Sequence, residues 1–144
     1  MKFVLAGIAG TAVMTGFAYL LSFLANKNWR VIHVLAAVLS GPRLQVQPLP
    51  YTRTRLIIAG VVHYVIGVLF AIAYRMLVDA GVVSYTFTSA ALYGVAIGVL
   101  AMLVWRITFA LRYKPHGVQL SSYLPVIGSG HILFSLVMMV VLRL

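Results

Sequence analysis

The chain has 144 residues, of which 63% are hydrophobic and only 8% charged, with a mean hydropathy of +1.08. A soluble domain keeps roughly a quarter of its residues charged, so a water-exposed globule is excluded. The net charge is +10, Asp79 is the single acidic residue and there is no cysteine. That composition excludes disulfides, thiolate metal sites and the paired carboxylates of acid–base catalysis. Basic excess in a soluble protein would suggest nucleic acid. Here the Lys and Arg side chains sit at the ends of apolar runs, where they orient helices and meet anionic lipid, so nucleic acid is not an expected partner.

The apolar runs are long enough to cross a hydrocarbon core, which takes about 20 residues of helix. The first is expected over residues 3–25. Asn26, Arg30, His33, Ala37 and Ser40 then recur at steps of four and three, which predicts a short interfacial helix over 28–40 with a narrow polar stripe. Gly41-Pro42 ends it, and Pro48 and Pro50 make the stretch before Arg55 extended coil. Further spans are expected over 55–77, 87–110 and 123–143. The fold class is therefore all-α, a single polytopic domain of four transmembrane helices. The connections rich in Lys and Arg are the first and third, so the positive-inside rule places both in the cytoplasm of a cell inner membrane and both termini outside. Lys27, Arg30, Arg53, Arg55, Arg112 and Lys114 are the expected lipid-headgroup contacts. Arg106 is expected to snorkel to the same surface, and His33 and His116 to be solvated.

The second and fourth spans align without gaps. Gly60 falls on Gly128, His63 on His131 and Arg75 on Arg143, so each reads Gly-x-x-His with an Arg further along. The first and third spans align at a different offset, with Gly10 on Gly98 and Met14 on Met102. A duplicated two-helix hairpin accounts for both, with the interfacial segment inserted in the first copy and a pseudo-two-fold axis along the membrane normal. Gly7, Gly10, Gly60, Gly67, Gly94, Gly98 and Gly128 supply small faces on which helices pack closely in lipid.

His63 and His131 each lie roughly 12 Å into a span, taking 1.5 Å per residue. A titratable group at that depth is a functional hypothesis by default. The plain alternative is a neutral imidazole bonded to a neighbouring helix through Tyr19, Tyr64, Thr11, Thr15 or a backbone carbonyl. A second is tetrapyrrole ligation, haem b above all, with the two imidazoles as axial ligands in a bundle core. Met14 and Met102 are conceivable substitutes. A third is a polar site for a quinone or a lipid. Two imidazoles without thiolate or carboxylate make a poor zinc or iron site, so no metal site is expected.

Gly10, Met14 and Thr15 in the first span, with His63 and Gly67 in the second, resemble small bacterial inner-membrane proteins of unknown function. The resemblance implies a bacterial four-helix protein and no catalytic residue. The leading expectation is a non-catalytic accessory subunit that packs against other membrane proteins of a larger complex, with a small b-type cytochrome and a quinone or lipid carrier as alternatives.

Overall fold

The computed structural model describes residues 1–40, 52–111 and 117–144. Among them are five helices: α1 (Lys2–Leu24), α2 (Val31–Ser40), α3 (Arg53–Asp79), α4 (Phe87–Leu111) and α5 (Leu120–Arg143). The expected spans are all present. α1, α3, α4 and α5 are long and apolar enough to cross a membrane, and this is an all-α membrane protein. In lipid every backbone N–H and C=O must be paired within the segment, which leaves the helix as the conformation of each apolar run. α3 and α5 begin two or three residues earlier than expected, and α5 continues through Pro125. The Arg43 to Pro50 stretch, Arg112, Lys114 and His116 lie outside the described residues.

Local chemistry sets the ends. α1 stops at Asn26, whose φ of +49° turns the chain so that Asn26 N–H reaches Phe23 O and Lys27 N–H reaches Ser22 O. α3 stops in the same Schellman arrangement at Gly81 (φ +73°), with Gly81 N–H on Val78 O and Val82 N–H on Leu77 O. Thr86 caps α4 by accepting the Ser89 N–H at its Oγ1 (3.2 Å). In the α3–α4 turn, Arg75 Nε lies 2.9 Å from the Asp79 carboxylate, and its guanidinium donates to Tyr85 OH at 3.0 Å.

The spatial order is α3–α1–α5–α4. Glycines allow the close seams. A Cβ at Gly7 would lie 2.6 Å from Val68 Cα, and one at Gly67 would collide with Thr11 Oγ1. On the other side, Gly94 and Gly98 meet the backbone of α5 at Ile132 and Gly128, while Gly10 meets Phe134. Gly128 carries Met102 against it. Gly60 departs from its expected packing role, since a Cβ there would meet nothing within 4 Å. It lies one turn before His63, towards the end of α3 nearest its connection from α2.

The two hairpins are not copies at the level of contacts. The alignment pairs Gly10 with Gly98, and Gly98 does sit beside His131, yet the residue beside His63 is Thr15. A two-fold exchanging the hairpins would also turn the tight α1–α5 seam into an equally tight α3–α4 seam. Instead α3 and α4 meet near their shared turn, where Tyr93 OH donates to Phe70 O (2.8 Å) and the Tyr74 and Tyr93 rings lie 5.0 Å apart. Away from the turn they make no extended contact. α2 packs at that wider end. Val31 and Val34 join Phe109, Val118, Tyr123 and Ile127 in one apolar cluster, and α2 also packs along α3.

Candidate functional site

The divergence of α3 from α4 leaves a cavity of about 300 Å³ with a wall contributed by all five helices. α1 and α5 form its back, α2 closes one end through Val31 and Leu35, and towards the α3–α4 turn the lining ends at Phe70, Leu100 and Phe134. On its open side stand Ile66, Leu100 and Val104, which are about half exposed on the outer surface of the bundle. Their neighbours on the same surface are apolar, so the opening faces the lipid phase. The volume lies at the lower end of the range for small-molecule pockets, roughly 300–1,000 Å³.

His63 and His131, singled out by their matched positions, come together on this one cavity although they belong to helices with little direct contact. Each is buried. His63 Nε2 is 3.1 Å from Thr15 Oγ1, one of the partners foreseen for it. His131 Nδ1 is 2.8 Å from Ile127 O in the preceding turn of its own helix. A carbonyl can only accept, so Nδ1 carries the proton of the neutral ring and Nε2 carries the lone pair. Nε2, at the tip of the ring, has no hydrogen-bond partner among the described residues. The Phe70 ring meets the His131 ring edge-on at 6.2 Å and Phe134 at 6.4 Å.

The rest of the wall is apolar or aromatic. Phe70, Trp105 and Phe134 are its large rings, Thr108 offers a hydroxyl, and the Thr11 hydroxyl is already donated to Gly7 O at 2.7 Å. Among the described residues no Lys, Arg, Asp or Glu lines it. Among the described residues no three His, Cys, Asp or Glu side chains gather as a metal site would require.

Sequence reasoning missed Phe70, Trp105 and Thr108. The available signal was on α4, where Trp105 and Thr108 fall one turn apart in an apolar run broken only by Arg106. It also misjudged His33. The ring is half buried, and its Nδ1 lies 3.0 Å from Tyr19 OH, while the Arg30 guanidinium lies 5.9 Å from the Tyr19 ring. Burial first, and the Arg30 charge second, hold the His33 pKa below its ordinary value. α2 is further tied down by Trp29, whose Nε1–H reaches Ser122 Oγ at 3.3 Å and whose ring carries Lys27 at 5.7 Å. Of the other expected headgroup contacts, Arg30 and Arg53 are exposed, whereas Arg55 is partly buried. No family model, curated protein or solved structure matches the chain.

Proposed function

We propose that this protein binds a quinone-class lipid in the α3–α4 cavity and has no catalytic activity of its own. The observation that carries the reading is an apolar, aromatic-walled cavity, open sideways to lipid, with two imidazoles as its main polar groups. Apolar walls with a few placed polar groups are the general form of a small-molecule site. The described residues put no cation in the wall, which disfavours a phospholipid, whose phosphate would go uncompensated in an apolar setting. Aromatic walls suit a flat ring over a flexible chain. Two separate imidazoles suit a ring with two oxygen functions, and the isoprenoid tail would leave through the lateral opening.

A tetrapyrrole between His63 and His131 is the competing occupant. Axial ligation would take both imidazoles, but Thr15 already engages His63 Nε2, and propionates would find no cation among the described residues of the wall. As an accessory subunit in a bacterial inner membrane, with the basic connections cytoplasmic and both termini outside, the chain would hold the quinone for larger partners.

The test uses Trp105 as reporter, in protein carrying Trp29→Phe and reconstituted into lipid nanodiscs. Decylubiquinone should quench its fluorescence saturably, and Ala101→Phe, which fills the cavity, should abolish saturation. Linear quenching of equal slope in both proteins, as simple partitioning into lipid gives, would sink the proposal. A hemin titration giving a sharp Soret band that disappears in both His63→Ala and His131→Ala would put a tetrapyrrole in its place.

A further inference from the structure

We infer that the cavity selects the reduced form of its ligand, the hydroquinone, over the quinone; this rests on the quinone reading above. The selecting atom is His131 Nε2. Its ring is anchored by Nδ1–H to Ile127 O at 2.8 Å, a bond made within one helix. The proton is therefore committed to the backbone, and the cavity receives an acceptor. No carboxylate lines the cavity to stabilise an imidazolium, so the ring stays neutral and Nε2 does not become a donor.

A quinone oxygen is also an acceptor. Placed against Nε2 it forms no bond and sets two lone pairs face to face in an apolar site. A hydroquinone hydroxyl donates to Nε2 and satisfies both atoms. His63 does not oppose this choice. Its Nε2 is paired with the Thr15 hydroxyl, which can donate or accept, so His63 tolerates either tautomer and either form of the second oxygen. Discrimination therefore comes from the α5 side alone. Sites built around one hydrogen bond reject the analogue lacking it because a buried polar atom is left unpaired. A lost partner of this kind corresponds to a preference of about 10- to 100-fold.

The experiment compares decylubiquinol with decylubiquinone, both under argon, on the protein in nanodiscs, with dissociation constants read from Trp105 quenching or from competition. The quinol should bind at least about tenfold more tightly. His131→Phe, which fills the ring space without an acceptor, should bring the ratio near one. His131→Gln can turn an amide N–H towards the ligand and should move the ratio towards the quinone. The ratio is taken within each protein, so a general loss of stability cancels. Equal affinity of the wild-type protein for both forms, or a preference unchanged in both His131 variants, would overturn the inference and leave the cavity reading standing. Saturable binding of neither form would overturn both.

Discussion

Replacing Gly7 by Ala tests the seam on which the cavity is built. The new Cβ would lie 2.6 Å from Val68 Cα and 2.9 Å from Gly67 O. Both neighbours are backbone, so no side chain can swing away and α1 must withdraw from α3. Regaining ordinary carbon–carbon separation takes roughly 1 Å, enough to forfeit a quarter to a half of each contact energy along the seam. Overpacking of this kind costs about 1–3 kcal/mol. Ala also gains about 1 kcal/mol over Gly in any helix interior, which obscures the clash if one variant is studied alone. Gly60→Ala and Gly16→Ala remove that ambiguity, because nothing lies within 4 Å of either new Cβ. They take the propensity gain without the collision. The difference between Gly7→Ala and these controls is then the clash itself, about 1–3 kcal/mol, with Gly7→Ala the less stable. SDS-driven unfolding from mild-detergent micelles, followed by near-UV circular dichroism, reads the midpoints directly. A Gly7→Ala midpoint at or above that of Gly60→Ala would refute the packing argument.

Two further outcomes are expected. Tyr123 is fully buried between Trp105 and Phe109, and its hydroxyl has no partner among the described residues. Tyr123→Phe should therefore leave stability unchanged or raise it by about 1 kcal/mol in the same SDS titration; a loss of that size would reveal a hydrogen bond to that hydroxyl. The depressed His33 pKa makes α2 docking sensitive to acid. Detached, His33 titrates near 6.5; docked, it titrates lower. Docking is thus at full strength above pH 6.5 and weakens as the pH falls from there through the docked value. Hydrogen exchange of the Val31–Ser40 amides, corrected for intrinsic rates, should accelerate at low pH in wild type and not in His33→Gln. Equal acceleration in both would dismiss His33 as the cause.

The spans were legible because lipid removes the need for periodicity: run length and flanking charge place a transmembrane helix to within two or three residues. His63 and His131 were legible because polar groups are costly there. Their sharing of one cavity was not, because it depends on the rotation of α3 and α5, and a helix that is apolar all round carries little record of which face turns inward. The repeat misled for a related reason. Matching Gly60, His63 and Arg75 to their counterparts implies symmetric seams, whereas the seams are set by whichever small residue meets a neighbour, and Thr15 took the place that the alignment gave to Gly10. His33 was read as solvated because its stripe looked polar. One contact that buries it comes from Tyr19, on another helix.

The position of α2 orders the steps by which the protein is made. Its apolar face rests on Phe109, Val118, Tyr123 and Ile127, all of which are synthesised after it. When α1, α2 and α3 have left the ribosome, the part of that surface built from α4, α5 and Val118 does not yet exist. The short helix can lie along α3 as soon as that span has inserted, but its remaining apolar contacts wait until α4 and α5 have entered the bilayer and paired. Closure of the cavity at that end is therefore a late event in assembly, and a chain truncated before α5 would leave α2 with its α3 contacts but without Val118, Tyr123 and Ile127.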